Sequence, residues 1–427
     1  MRKIPLLLLF QYFRLLSAFS QPSVPTDSSN YQEKKLKIEE VNIVSGYYHQ
    51  DGNNSAVTGG IGTENLTDFA NTFELKLVNG NKSGKTHSVS AEFGVDHYSS
   101  ASSDNIDPRP TKSVVTSSSS SSQNSGKSQT KFVLSSASKS DVRIYPSLAW
   151  NVHNEKTGLT FGLNISYSSE NDYKSKGAGF NIIKSSKNNN SEFSLKFQAF
   201  LDDWHVIYPY ELRPPGYGSG SRKDPLPTIV KPRDSYQMSM SFAHVVNKRL
   251  QLSIMFDPSY QMGQLSTLYQ RVYFNTGIEK AENLPSSRIK IPIGLRAHYF
   301  LGDRIILRTY YRYYQDDWGI KAHTFNLEVP VKLSPFVSLS PFCRIHMQRG
   351  ANYFAPYLNH DIHDLYYTSD YDLSSFNSQF IGMGIRLVPT NGVLGFSNFN
   401  TLEIRYGHYL KTTGLMANNI SLAMKFK

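Results

Sequence analysis

Side chains that alternate apolar and polar at a period of two recur from Val41 to the last residues of this 427-residue chain. A strand sends successive side chains to opposite faces, so each such stretch has one greasy and one wet face. Phe69, Phe73, Leu75 and Leu77 share one parity, as do Val142, Ile144, Leu148, Trp150 and Val152. The same holds for Leu159, Phe161, Leu163, Ile165 and Tyr167, and for Ile289, Ile291, Ile293 and Leu295. About 16 stretches of roughly 9–14 residues read this way, the length that a tilted strand needs to cross a bilayer. The stretch from Tyr173 to Ile183 is the least regular. No later segment reaches the ~20 consecutive apolar residues of a membrane helix, which excludes a helical membrane protein.

The links supply an independent signal. Short ones, near Asn79 to Thr86, Asn154 to Thr157, Ser185 to Asn190, Asn247 to Arg249, Gly302-Asp303, Ser334-Pro335 and Pro389 to Asn398, are rich in turn-forming residues. Most of the alternate links are long: Gln50 to Asp68, Ser99 to Lys139, Asp202 to Asp234, Gly263 to Ser286 and Arg349 to Asn377. Two outer links, near Asn171 and Asp317, are short. Short turns on one side and long loops on the other are the habit of outer-membrane barrels. The expected fold is therefore all-β: a transmembrane antiparallel up-and-down β-barrel with short periplasmic turns, long extracellular loops and both termini in the periplasm.

The ends agree with that expectation. Arg2 and Lys3, the apolar run Pro5 to Phe10 and the small residues before Gln21 read as a signal peptide over 1–20. Residues 21–39 read as a polar periplasmic tail, and 40–427 as the barrel. Ile420, Leu422, Met424 and Phe426 share one parity at the other end. A final amphipathic strand closing on an aromatic resembles the signal read by the barrel assembly machinery, so that machinery and outer-membrane lipid are the expected partners. Cys343 is the single cysteine, so no disulfide forms within the chain. The serine run Ser117 to Ser122 reads as a mobile surface loop.

Charge adds a functional hint. The chain has 45 Lys and Arg against 34 Asp and Glu, a net +11. The cations are interleaved with strand hydrophobes rather than clustered, so nucleic acid is not an expected partner. A charge facing lipid at the midplane of a barrel costs ~2–4 kcal/mol, whereas a wet lumen accepts it. Parity then turns Arg288, Lys290, Arg296, Arg304, Arg308, Arg312, Arg344, Arg386 and Arg405 inward as a basic ladder, with Glu328 and Glu403 the chief inward acids of that region. Two readings stand: a lumen that favours an anionic solute, or a structural ladder neutralised by acids and by loops folded inside.

Candidate chemistry is sparse. Asp202-Asp203-Trp204 and Asp316-Asp317-Trp318 repeat a pattern at the outer ends of upward strands. Paired carboxylates there could hold Ca²⁺ or, with His205 or His323, activate a water. The plain alternative is an interfacial Trp beside solvated acids. His360, Asp361, His363 and Asp364 have ligand chemistry, but no second cluster completes a metal site. No phosphate loop or zinc pattern is present, so no cofactor and no enzymatic activity is expected.

More specific is Tyr366 to Phe376, in which Tyr367, Ser369, Asp370, Tyr371, Asp372 and Phe376 stand out. With Thr58 to Glu64, Gln270 to Phe274, Tyr310 to Tyr314 and Tyr353 to Tyr357, this segment resembles an uncharacterised bacterial family catalogued as domain of unknown function three-five-seven-zero. The resemblance implies an outer-membrane barrel of unassigned activity, whose genes often neighbour those for a flavin-attaching transferase and a small lipoprotein. Tyr366 to Phe376 reads as a loop folded inward with Asp370 or Asp372 on lumen arginines, or else as a ligand site at the mouth. The expected function is passive, porin-like transport or a scaffold for an exported, flavin- or redox-linked system. A barrel enzyme using the rim acids and a loop-based surface adhesin are the alternatives.

Overall fold

The computed structural model describes residues 36–80, 84–100, 140–206, 208–213, 215–216 and 229–427. The expected signal peptide, the tail up to residue 35 and the Ser117–Ser122 run lie outside these residues.

Twenty strands follow one another among the described residues. They are β1 Lys37–Asp51, β2 Leu66–Gly80, β3 Lys85–Ser100, β4 Ser140–Asn154, β5 Leu159–Ser169, β6 Tyr173–Ser185 and β7 Ser191–Val206. Next come β8 Ile229–Asn247, β9 Leu250–Phe256, β10 Ser259–Gly263, β11 Arg271–Tyr273, β12 Glu279–Ala281, β13 Ser287–Leu301 and β14 Ile305–Asp316. The last six are β15 Lys321–Glu328, β16 Val331–Lys332, β17 Val337–Arg349, β18 Phe376–Leu387, β19 Phe399–Lys411 and β20 Met416–Phe426. β1 begins at Lys37, so the barrel starts three residues before the boundary at 40 read from the sequence.

Two pairs of these strands are single staves of the wall. Asp257-Pro258 separates β9 from β10, and Val329-Pro330 separates β15 from β16. Proline has no N–H for the ladder and breaks the regular pattern. Bonding nevertheless continues across both gaps: Met238 donates to the Pro258 carbonyl (3.0 Å) and Ile306 to that of Pro330 (3.0 Å). β11 and β12 pair only with each other, in a loop. The wall therefore has 16 staves.

Every neighbouring pair in the wall is antiparallel, and the sheet closes on itself. β1 pairs with β20 from Val41↔Phe426 to Asp51↔Met416. Closure removes the unpaired edges that an open sheet would expose. Phe426 is buried where the ends meet, its ring stacked on Phe399 at 4.7 Å. The long and short connections keep phase around the wall as expected. A third short outer link, Thr412 to Leu415, joins β19 to β20.

Side-chain parity separates the two faces. The outer face carries Phe69, Phe93, Leu148, Trp150, Ile165, Leu201, Ile254, Leu295 and Ile381, all exposed, Ile165 to 60%. An apolar surface so extensive and so contiguous is of the kind that marks a membrane or partner contact. The polar partners at the intervening positions point into the bore. Arg304 is a correction to the expected ladder: it stands in the exposed turn between β13 and β14, at the short-turn end, not in the lumen. A strand period extended one residue past the strand assigned it a face that a turn does not have.

Candidate functional site

The outer mouth is organised by loops that share a core of their own. Arg271 on β11 is fully buried, its guanidinium against Glu211 (2.6 Å) and Glu279 (3.3 Å) and donating to the Val57 carbonyl (2.6 Å). One side chain thus ties together the loops 52–65, 208–213 and 264–286. Val272 and Phe274 pack on Tyr367, joining the loop 350–375 to the same cluster. Bridges between Phe274 and His360 and between Asn283 and Tyr367 extend the contact along the backbone. Gly59 and Gly60 hold left-handed conformations where the loops approach. A Cβ on Gly60 would lie 2.7 Å from the Ser369 carbonyl, and one on Gly59 would enter the Tyr273 ring. Glycine is required there for both reasons. Four separated segments, Thr58 to Glu64, Gln270 to Phe274, Tyr353 to Tyr357 and Tyr366 to Phe376, meet in this cap.

The cap is tied into the barrel by inward side chains. Lys411 near the outer end of β19 donates to the Tyr371 carbonyl (3.1 Å) and pairs with Asp372 (2.7 Å). Gln348 of β17 donates to the carbonyls of Asp372 (2.9 Å) and Ser374 (2.8 Å). The loop does fold inward, but its cation partner is a lysine and not the expected arginines. Asp370 turns instead to the backbone, accepting the Asp372 N–H at 2.9 Å. Tyr367, Thr368 and Ser369 are buried in the cap, and Phe376 opens β18 with Lys411 over its ring at 4.2 Å.

Three acids of the mouth are shifted upward. Glu282 is 3% exposed and accepts from the Thr368 hydroxyl (2.5 Å) and the Thr267 N–H (2.6 Å). Burial raises its carboxyl to about 8. Burial raises Glu64 to about 7, with the nearby Asp372 adding to the shift. Asp370 is raised for the same two reasons.

The rim acids are distributed, not gathered. Asp316 accepts from Arg288 Nε (3.0 Å), the Tyr314 hydroxyl (2.8 Å) and the Ile320 N–H (2.9 Å). The Arg288 guanidinium lies over the buried Trp318 ring at 4.3 Å. Asp317 accepts the Ile289 N–H (3.0 Å). These acids lock the short β14–β15 link onto β13. Replacing Asp316 by Ala removes one half of a buried pair and is expected to destabilise the barrel by about 3 kcal/mol. A lowered midpoint in thermal unfolding, followed by loss of heat-modifiable migration, is the readout; an unchanged midpoint would show that the pair contributes nothing.

Asp202 accepts from the Tyr173 hydroxyl (2.5 Å), and Asp203 pairs with Lys176 (3.1 Å). They sit on β7, separated from β14 by β8, the β9–β10 stave and β13, so the two Asp-Asp-Trp pieces do not combine. His323 is engaged by the Tyr311 hydroxyl (2.8 Å). His360 is a packing residue, with Nε2 on the Thr368 carbonyl (2.9 Å) and its ring beside Phe274 and Tyr367. One acidic trio that sequence spacing does not reveal, Asp141, Glu170 and Asp172, gathers at the β4–β5–β6 rim. Glu170 there accepts from Tyr98 (2.9 Å) and faces Arg143 (3.6 Å).

Inside the bore, the ladder lies along β13 to β19. Arg308 and Arg405 share Glu328 (3.5 and 3.3 Å), and Arg405 also meets Glu403 (3.0 Å). Arg296, Arg312 and Arg344 rest instead on the rings of Tyr310, Tyr314 and Phe380. Among the described residues these three meet no carboxylate at ion-pair distance. Lys290 and Arg386 share the inward parity on β13 and β18. Two cavities adjoin along this wall. One of 360 Å³ is lined by Tyr48, Glu64, Arg344, Asp372, Tyr409 and Lys411. The next, of 290 Å³, is lined by Glu328, Phe342, Arg344, Arg405 and Asn419. Arg344, Phe380 and Asn419 line both.

Residues 15–413 match a family model described as "Protein of unknown function (DUF3570)". No curated protein matches the chain. Among solved structures, OccK7 (OpdD) of Pseudomonas aeruginosa is similar at 9% identity and TM-score 0.40, covering 92% of this chain and 98% of that one. OpdQ of the same organism is similar at 8% identity and TM-score 0.35, with the same coverage of 92% and 98%. The ferric enterobactin receptor PfeA of P. aeruginosa is similar at 9% identity and TM-score 0.42, covering 86% of this chain and 54% of that one.

Proposed function

This chain belongs to the family described as "Protein of unknown function (DUF3570)", and from that footing we propose that it is a bacterial outer-membrane barrel for passive passage of small anionic solutes, with no catalytic role. The closed wall with its apolar outer face suits lipid, and strands carry the span because each backbone group is paired within the sheet. Tight turns at one end and long loops at the other orient it with the loops outward.

One observation carries the reading. The two adjoining cavities run from the cap down the wall past Lys411, Arg344 and Arg405. Arg344 belongs to both and has only an aromatic ring beneath it, so its charge is available to a solute. A row of cations in a narrow wet channel concentrates anions and offers successive weak sites, which favours movement over capture. The interlocked cap narrows the entrance to this wall-side route. Asp203, Asp316 and Asp317 meet structural partners, Lys176, Arg288 and the Ile289 N–H, which fits a structural role for these rim carboxylates.

Planar-bilayer recording under a KCl gradient tests the proposal. The expected reversal potential has the sign of chloride preference. Replacing Arg344 and Arg405 by Ala should reduce the chloride-to-potassium permeability ratio by about threefold to tenfold, as loss of local cationic potential requires. Absence of any conductance, or a cation preference indifferent to the two arginines, would overturn it.

A further inference from the structure

The 360 Å³ cavity beneath the cap is walled by neighbouring staves whose side chains share one space. Arg344, Phe380 and Tyr409 are consecutive cross-strand partners on β17, β18 and β19. Asn419 on β20 is paired with Gly407, two residues from Tyr409, and on its other side with Tyr48 of β1. The Phe380 ring leans over Gly407, where a Cβ would lie 2.3 Å from it. That ring therefore reaches the space between Tyr409 and Asn419. A cavity of this size is in the range of small-molecule sites.

Four charged groups line it, and only one is left without an opposite charge or a masked one. Lys411 and Asp372 neutralise each other at 2.7 Å. Burial holds the Glu64 carboxyl up to about 7, so near neutral pH it is divided between acid and anion. Arg344 has the Phe380 ring 5.8 Å from its guanidinium and, among the described residues, no carboxylate at ion-pair distance. A single free guanidinium suits a single carboxylate. The neutral lining is selective as well. Tyr48 donates to Gln50 (2.8 Å) and Gln50 to the Glu64 carbonyl (3.2 Å), which fixes that edge. Tyr409 and Asn419 make no side-chain hydrogen bond among the described residues and line the cavity with a hydroxyl and an amide. Each can both donate and accept, as a ligand hydroxyl can.

We propose that this cavity binds sugar acids, hydroxylated monocarboxylates of hexose size, with Arg344 taking the carboxylate and Tyr409 and Asn419 the hydroxyls. The inference deepens the passage reading above and rests on it for treating the bound ligand as a solute in transit. Phe380 offers an apolar face to the carbon skeleton. A bare carboxylate satisfies the guanidinium but leaves Tyr409 and Asn419 without partners from the ligand. A neutral sugar does the reverse. A phosphate ester brings a second charge that no free cation of this cavity meets.

Calorimetric titration of the full barrel in detergent with glucuronate, glucose and butyrate tests the site. Glucuronate should bind about tenfold tighter than either of the others, because it alone meets both halves. The double variant Tyr409→Phe, Asn419→Leu should lower the preference for glucuronate over butyrate about tenfold. Arg344→Gln should do the same to the preference for glucuronate over glucose. Heat-modifiable migration verifies that each variant is folded. Equal affinity for the three probes, or folded variants that keep both preferences, would overturn the site. Planar-bilayer recording on the same preparations separates the two readings. Chloride passage without a glucuronate preference removes the site alone, whereas a glucuronate preference without conductance upholds the site and removes passage.

Discussion

Replacing Arg271 by Ala is expected to free the loop cap, at a cost of about 3–5 kcal/mol to its docking. The guanidinium is fully buried and holds three loops through Glu211, Glu279 and the Val57 carbonyl. Its removal strands two carboxylates that were placed to meet it, and this residual charge costs more than the lost bonds. The wall has no part in these contacts, so the barrel should survive. Hydrogen exchange should rise sharply across Thr267 to Glu282 and Tyr366 to Ser375 while the β1–β20 seam stays protected, and single-channel conductance should grow. Unaltered exchange in those loops would show that the cap is held by something other than this cage.

The cap should also weaken as pH rises. The carboxyl of Glu282 stands near 8 in the docked cap against an ordinary value of 4.5. A carboxyl raised on docking contributes stability that is complete below about 4.5 and is lost as pH climbs through about 8, because only the opened form ionises freely. The full span is worth up to roughly 5 kcal/mol. Glu64, raised to about 7, acts in the same direction with less burial behind it. Proteolysis of the outer loops should therefore be slow at pH 5 and markedly faster at pH 9. Glu282→Gln, which keeps the shape and removes the ionisation, should flatten that dependence. A cap equally resistant at both ends of the range would dispose of the linkage.

Much of this was legible in the residues, and for definable reasons. Parity along Phe69 to Leu77 or Val142 to Val152 is a local property, and a sheet converts it directly into an inside and an outside. The same rule assigned Arg288, Arg296, Arg308, Arg312, Arg344 and Arg405 to the polar face of their strands. Arg304 escaped it because a turn has no parity. Asp372 was expected on an arginine and meets Lys411, since which cation lies under a loop depends on how far that loop folds in. The buried cage of Arg271 left no trace in spacing: Val57, Glu211 and Glu279 are remote in the chain and come together only when three loops dock.

The sequence by itself determined the strands, their faces and the side of the wall with long loops, because each depends on period and composition over a few residues. The tertiary structure alone decided the closure of β1 on β20 and the interlocking of the mouth loops. Those are matters of ring size and register. Residues that meet at a closing seam or between docked loops are remote in the chain, and no local pattern encodes their meeting.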